Sequence, residues 1–267
     1  MPKFLAFIWR DYLNAVSYKF FFITQIAKIF LAMGTFYFLA RLLGDRPSPY
    51  LAPYGGDYFS FVLIGIAFNQ YIYVSVQSFA QKINEAQQVG TLEALFVTQT
   101  PEGLIILGSA LYNFIWATIV VLAYLVFGGL AFGAALGNAN LLSGAVVLLL
   151  TITSFSSLGI LSACFILIFK KGDPIGWLIQ GLAGLVGGVI YPIEVLPHWL
   201  QLVSKTIPVT YALRAMRFAM LQGKGLGEMH GDILALILFT VILLPFSLWV
   251  FRLSVRKAKR DGTLTQY

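Results

Sequence analysis

Six runs of predominantly apolar residues dominate this 267-residue sequence. They extend approximately over residues 20–43, 58–80, 104–132, 141–169, 175–191 and 233–251. A helix of about 20 apolar residues spans the hydrocarbon core of a bilayer and satisfies its own backbone polar groups there. The runs predict an all-α integral membrane protein with six transmembrane helices, of which the fifth is the shortest.

The composition excludes most soluble classes of protein. Hydrophobic residues make up 59% of the chain and charged residues only 11%, against about 25% charged in ordinary soluble proteins. The mean hydropathy is +0.83. No connecting segment is long enough for a separate domain, and no repeat is visible at a spacing of about 20 to 50 residues. We therefore expect a single transmembrane unit over residues 1–267, not a soluble enzyme or a disordered chain.

The net charge of +7 is explained by topology. If the N-terminus is cytoplasmic, 11 Lys and Arg residues lie on the cytoplasmic side, six lie on the opposite side, and Lys28 lies within the first span. Cytoplasmic segments retain basic residues, so both termini are predicted to be cytoplasmic, in a plasma or inner membrane. No basic stripe for nucleic acid is present. Lys28 either snorkels to the inner interface or takes part in a pathway.

Residues 1–19 have helical periodicity but are too polar to span, which predicts an amphipathic interfacial helix. It serves as a membrane anchor or as a contact for a partner. After the fifth run, segment 192–222 contains two short amphiphilic stretches, predicted as re-entrant or interfacial helices in the outer leaflet. In the second stretch, Arg214 and Arg217 share a face, either as interfacial anchors or as a site for anionic headgroups or substrate.

Residues that would carry catalysis are missing from the sequence. It has no GxxxxGK[ST] phosphate loop, so we expect this chain not to hydrolyse ATP. His198 and His230 lack HExxH spacing, and Cys164 is the single cysteine, so neither a metal site nor a redox pair is predicted. We expect no catalytic residues and no cofactor on this chain.

Neutral polar residues interrupt the second span. Asn69, Tyr73 and Gln77 recur every four residues and share one helix face. Such a face either makes hydrogen bonds between helices or lines an amphiphilic pathway. In the fifth span, Gly184 and Gly188 allow either close helix packing or a break in the helix.

The loop between the second and third runs, residues 81–101, together with the adjoining Glu102, has one Lys and three Glu, a local charge of −2 where other segments of the same side are basic. It is either a surface for a protein partner or an ordinary solvated helical hairpin.

Two stretches resemble the ABC-2 type family of transporter permeases. The first is residues 85–101, EAQQVGTLEALFVTQTP, with GTLE at its centre. The second is GVIYPIEVLPHWLQ at 188–201, followed by IPVTYALRAMR at 207–217. Their order and spacing, together with six spans and an amphipathic N-terminal helix, extend the resemblance over nearly the whole chain.

The resemblance implies a permease that exports its substrate, pairs with a second permease copy (a homodimer or a related heterodimer) and is powered by a separate cytoplasmic ATP-binding cassette subunit. ATP and Mg would bind to that subunit. Coupling to it is then assigned to Glu85, Gly90, Thr91, Leu92 and Glu93, together with the N-terminal helix.

The resemblance also assigns an external cap over the outer end of the pathway. The cap residues are Gly188, Tyr191, Pro192, Pro197, Arg214 and Arg217. The competing interpretation is a channel or membrane scaffold that needs no ATPase partner.

Overall fold

The computed structural model describes residues 19–44, 49–88, 90, 102–170 and 172–260. The predicted interfacial helix before residue 19 lies outside the described residues. Within them the chain forms eight α-helices: α1 (Lys19–Leu43), α2 (Tyr58–Gln88), α3 (Glu102–Phe132), α4 (Leu141–Phe169), α5 (Pro174–Val186), α6 (His198–Lys205), α7 (Pro208–Leu221) and α8 (His230–Arg260). Short 3-10 turns occupy Ala52–Tyr54, Ile193–Val195 and Leu226–Met229. The prediction of an all-helical membrane protein is confirmed.

Five of the described helices, namely α1, α2, α3, α4 and α8, are long and apolar enough to cross a membrane. The fifth predicted run instead forms α5, a shorter helix of 13 residues. The prediction that this helix continues to residue 191 is wrong. It ends at Val186 because the next residues are Gly187 and Gly188, and Gly188 adopts a left-handed backbone with φ of +79°.

The other helix ends follow from local sequence. Helix α2 continues to Gln88, beyond its apolar run, because residues 81–88 contain neither Gly nor Pro and are good helix formers. Asn140 caps the start of α4, because its side chain accepts a hydrogen bond from the Ser143 amide at 3.1 Å. Lys170 caps the end of the helix and has a left-handed backbone, with φ of 58°.

Helix α4 is at the centre of the bundle and packs most extensively against α2 and α8. Close approach to α2 depends on Gly159, where a Cβ atom would lie 2.4 Å from the carbonyl oxygen of Ser75. Hydroxyl-bearing residues line the buried side of α4, and four of them are fully buried: Thr151, Ser154, Ser157 and Ser162. They therefore act in helix packing. Cys164 is a buried free cysteine in the same core.

The connecting segments 51–57, 133–140 and 187–229 meet at one end of the bundle, which we call the cap end. The amide of Asn140 donates to the Ala219 carbonyl at 2.8 Å, and the Gln222 side chain donates to the Pro53 carbonyl. The opposite end carries residues 81–88, the α4–α5 connection and the end of α8.

Helix α7 packs inside the cap end, against α2, α4 and α8. Ten of its 14 residues are buried, among them three alanines that permit close approach. Its apolar face is therefore covered by protein, and the placement of α7 as a re-entrant or interfacial helix stays a prediction. Helix α6 is different: its Trp199 is 65% exposed.

Candidate functional site

The polar stripe of α2 faces the short helix α5. At one end of the stripe, a Cβ atom on Gly176 of α5 would lie 2.5 Å from the Gln77 side-chain nitrogen. At the other end, a Cβ atom on Gly65 of α2 would lie 2.1 Å from the Val189 carbonyl oxygen. Asn69 and Tyr73 fall between these two contacts on the same helix face. Gln77 thus lies against the start of α5, and Asn69 and Tyr73 share its face of α2.

Several polar atoms on this face have no hydrogen-bond partner within the described residues. They are the Asn69 Oδ1, the Gln180 Nε2 of α5 and the Asp173 Oδ2 at the start of α5, all buried. Tyr73, in contrast, is 41% exposed. An unpaired buried polar atom costs about 1 to 3 kcal/mol, so a further partner for Asn69 Oδ1 would lower the free energy of this face.

A polar cavity of about 470 Å³ opens where this face reaches the opposite end of the bundle. Its walls carry amide and charged side chains: Gln77, Gln81, Asn84, Gln88, Lys170 and Asp173. The Asp173 carboxylate also caps α5, accepting hydrogen bonds from the Gly176 amide at 2.8 Å and from the Ser162 hydroxyl. Sequence reasoning missed Asp173 and Gln180, although a carboxylate directly before Pro174 is a recognisable helix-start signal.

Two of the predicted coupling residues, Glu85 and Gly90, lie at the same end, beyond the cavity. Glu85 is exposed on the last turns of α2 and forms an ion pair with Lys82 at 3.1 Å. Gly90 has φ of +74°, and its amide donates to the Gln87 carbonyl at 3.1 Å, which turns the chain away from the helix axis. Thr91, Leu92 and Glu93 lie outside the described residues. The role of all five remains a prediction.

The first half of the predicted cap is a turn that closes over the end of α5. Gly188 reverses the chain, and the Tyr191 hydroxyl donates to the Leu185 carbonyl at 2.5 Å. Pro192 begins the Ile193–Val195 turn, and Pro197 begins α6. Of the two alternatives for Gly184 and Gly188, the structure shows a break in the helix. Close packing at Gly184 is not seen, since a Cβ atom there would meet nothing within 4 Å among the described residues.

Arg217 is the buried centre of the cap, with 3% of its surface exposed. Its Nε donates to the Phe61 carbonyl at 3.1 Å and its second guanidinium nitrogen donates to the Val189 carbonyl at 2.8 Å. The guanidinium also lies over the Phe61 ring, 3.5 Å from its centroid. These contacts join α7 to the start of α2 and to the turn after Gly188.

Burial raises the pKa of Tyr54, whose ring lies near the Arg217 guanidinium, and the charge of Glu194 adds to the rise. Among the described residues, no carboxylate directly contacts the Arg217 guanidinium. The carbonyl groups supply its compensation.

Arg214, on the same face of α7, is held by an ion pair with Asp232 of α8. Its Nε lies 2.9 Å from Asp232 Oδ1 and its second nitrogen lies 2.5 Å from the same oxygen. Asp232 is 5% exposed. Both arginines thus have protein partners, and their role as interfacial anchors or as a site for anionic headgroups or substrate stays a prediction. The partners Asp232 and Tyr54 are distant in sequence, so no local pattern indicated them.

Chemically, the described residues offer hydrogen bonding and packing, not bond cleavage. Among them, no three His, Cys, Asp or Glu side chains lie close enough together to hold a metal ion. What the arrangement provides is a polar helix face, a broken helix beside it, and a buried arginine that joins the break to two other helices.

Comparison with known protein families identifies the class. The model of the ABC-2 type transporter family matches residues 2–221, more than four fifths of the chain. A search of curated proteins finds no match. The chain belongs to the ABC-2 type transporter family, as the resemblance predicted. It is a membrane transport subunit, a permease, and is not itself catalytic.

Proposed function

We propose that this chain forms the membrane pathway of an ATP-driven exporter and that a separate cytoplasmic ATP-binding cassette subunit hydrolyses the ATP. The observation that carries the proposal is the polar stripe of α2, which contains the buried, unpaired Asn69 Oδ1 and the partly exposed Tyr73 and meets the broken helix α5 at Gln77. Family membership and the absence of a phosphate loop from the sequence support the division of labour.

The chain crosses the membrane six times, with α5 as an incomplete fifth crossing. Thirteen residues of helix rise about 20 Å, less than the hydrocarbon thickness of about 30 Å. The turn after Gly188 and the buried helix α7 complete the crossing, and they are re-entrant, since non-helical backbone is tolerated at membrane depth where protein covers it.

The cap end is extracellular, and both termini are cytoplasmic in the plasma or inner membrane. Eleven basic residues lie on the cytoplasmic side against six on the other. Of those six, Arg217 is buried and Arg214 is paired with Asp232. On the cytoplasmic side Lys82 is likewise paired with Glu85, and the cytoplasmic excess of basic residues supports the orientation.

A second permease copy covers the α2–α5 face and completes the pathway, as a homodimer or a related heterodimer. The face combines amide and phenol groups with apolar neighbours, and the polar cavity near Gln77 adjoins its cytoplasmic end. This chemistry supports an amphiphilic substrate, such as a drug-like molecule, a lipid or a glycan. Membrane lipids contact the remaining apolar surface.

The cassette subunit docks at the cytoplasmic end through the N-terminal helix and through Glu85, Gly90, Thr91, Leu92 and Glu93. Transport needs no covalent chemistry on this chain, because ATP binding and hydrolysis shift the equilibrium between two arrangements of the permease pair. ATP and Mg bind to the partner. Closure of the cassette subunits moves the end of α2, and the polar face moves with it.

A channel or scaffold that works without an ATPase is the alternative. Ion pores are built from rings of charged side chains or backbone carbonyls. The described residues of the α2–α5 face supply neutral amides and a phenol instead, so the exporter is the better supported function.

Purification of the chain from its native cells in mild detergent, with crosslinking before extraction, tests the proposal. We expect a soluble cassette ATPase to co-purify in a one-to-one ratio and the complex to hydrolyse ATP. A crosslinked, monodisperse preparation without any ATPase would overturn the exporter and leave the channel or scaffold.

A further inference from the structure

A second, wholly different cavity of about 240 Å³ lies between α2, α3, α4 and α7. Apolar side chains form almost all of its lining, including Phe68 of α2, Leu125 of α3 and Met216 and Met220 of α7. It is separate from the polar stripe, since the stripe residues of α2 do not line it. Gly144 of α4 forms part of its wall, where a side chain would otherwise fill space.

The polar groups of this cavity are already engaged. The Tyr71 hydroxyl donates to Thr118 Oγ1 at 3.0 Å, and the Thr118 hydroxyl donates to the Phe114 carbonyl at 2.9 Å. No charged residue lines the cavity. Cavities with such walls stay dry and take up apolar ligands.

The cavity opens sideways, toward the surface that the membrane covers. Two lining residues at its rim, Leu122 of α3 and Leu141 of α4, are 55% and 72% exposed. Both helices are long and apolar enough to span a bilayer. The medium at the opening is therefore the hydrocarbon of the lipid tails.

We infer that this cavity binds one acyl chain of a membrane phospholipid, which enters beside Leu122 and Leu141 and ends against Met216 and Met220. An unbranched hydrocarbon chain needs no polar partner, and its headgroup stays in the interface. Methionine side chains adapt readily to such a ligand. A Cβ atom on Gly144 would lie 3.4 Å from the Met220 sulfur, so the chain can pass close to the α4 backbone.

The bound chain touches α7, the helix that carries Arg214 and Arg217. The lipid tail therefore contacts α7 on a different face from the two arginines. This site belongs to a single chain and does not require the ATPase or the second permease copy.

Photolabelling with a phosphatidylcholine that carries a diazirine near the end of one acyl chain tests the inference. The full chain is reconstituted in nanodiscs that contain a small fraction of this lipid, irradiated, and mapped by peptide mass spectrometry. Bulk lipid reaches exposed residues, but Tyr71, Met216 and Met220 are only 4%, 7% and 9% exposed. We expect label on these buried residues. Label confined to exposed residues would overturn the inference and leave the cavity to another hydrophobic ligand.

A matched pair of variants then fixes the position of the lipid chain. Ala145→Trp places an indole at the cavity rim, whereas Leu149→Trp, one turn along α4, faces lipid outside the cavity. Ala145→Trp is expected to reduce label on the buried residues by about tenfold, the effect of losing about two buried methylenes. Leu149→Trp should leave it unchanged. Unchanged label on Leu130 of α3, which is 84% exposed and does not line the cavity, reports correct folding. Equal labelling of the buried residues in both variants would contradict the site.

Discussion

The cap end and the α2–α5 face differ in whether their buried polar groups have hydrogen-bond partners. At the cap end, Arg217 is matched by two carbonyl groups and Arg214 by Asp232. Along α2 and α5, Asn69 Oδ1 and Gln180 Nε2 are buried without a partner in the described part of the chain. The exception at the cap end is the unpaired Thr210 hydroxyl, which adjoins a small pocket lined by Arg217.

This difference indicates which part of the permease finds its hydrogen-bond partners within one chain. A buried charge that is fully hydrogen-bonded fixes one arrangement of the backbone, so the cap is a rigid unit. An unpaired buried polar atom calls for a further partner, such as an ordered water, an ion or another molecule. We therefore assign stability to the cap end and the working surface to the α2–α5 face.

The largest loss of stability is expected for Gly65→Ala, at the point where the two regions touch. The new methyl group would lie 2.1 Å from the Val189 carbonyl oxygen and 2.5 Å from the Arg217 guanidinium. Overpacking together with loss of a charged hydrogen bond should lower the free energy of unfolding by about 4 kcal/mol. Titration with SDS measures it. The control is Gly34→Ala in α1, where the methyl group meets open space and the helix should gain up to about 1 kcal/mol; equal effects would refute a tight contact at Gly65.

Arg217→Met should have the next largest effect. It removes the charged hydrogen bonds to Phe61 and Val189 and leaves the Val189 carbonyl buried, which costs about 3 kcal/mol of unfolding free energy. Arg217→Lys should not restore stability, because one ammonium cannot reproduce the planar fork of the guanidinium. Wild-type stability of Arg217→Lys would show that charge alone matters and that the geometry does not.

Asp232→Asn is expected to destabilise moderately, by about 2 kcal/mol, because Arg214 loses a charged acceptor. A double-mutant cycle with Arg214→Gln separates this pair from unrelated effects. The loss in the double variant should be smaller than the two single losses added together. Strict additivity would mean that the contact between α7 and α8 does not depend on this ion pair.

The smallest change in stability is expected for Glu85→Lys combined with Glu93→Lys, at the opposite end. Glu85 is exposed, so unfolding should shift by no more than about 0.5 kcal/mol. Transport and substrate-stimulated ATPase should nevertheless become uncoupled, since the docking charge is reversed. Glu228→Lys at the cap end is the matched charge reversal and should leave coupling intact. Normal coupling in the first variant would remove the docking role of this loop.

The sequence predicts the long helices well, because apolar periodicity and helix-start signals are local. The run at 141–169 coincides with α4, and the first run misses α1 by one residue. The end of α5 was mispredicted, since hydropathy treats Gly187 and Gly188 as part of an apolar run although their backbone freedom ends the helix. The full length of α2 was also missed, because its last turns are polar.

The candidate site was only partly predictable. Helical spacing placed Asn69, Tyr73 and Gln77 on one face, and the structure adds that α5 is the neighbour. That Arg217 is buried depends on contacts with Phe61 and Val189, which are 156 and 28 residues away. Contacts between residues so far apart in sequence depend on how the helices pack, and they cannot be inferred from a single sequence.

The central claim is that the cap end is stable within one chain and that the ATPase binds at the opposite end. Backbone hydrogen exchange tests this claim most directly. The permease is compared in nanodiscs alone and in complex with its co-purified ATPase, with peptides that cover residues 81–88, the start of α5, and α7. We predict slower exchange at 81–88 and at the start of α5 in the complex, with α7 strongly protected in both samples. Unchanged exchange at 81–88, or a protection of α7 that arises only in the complex, would contradict the account.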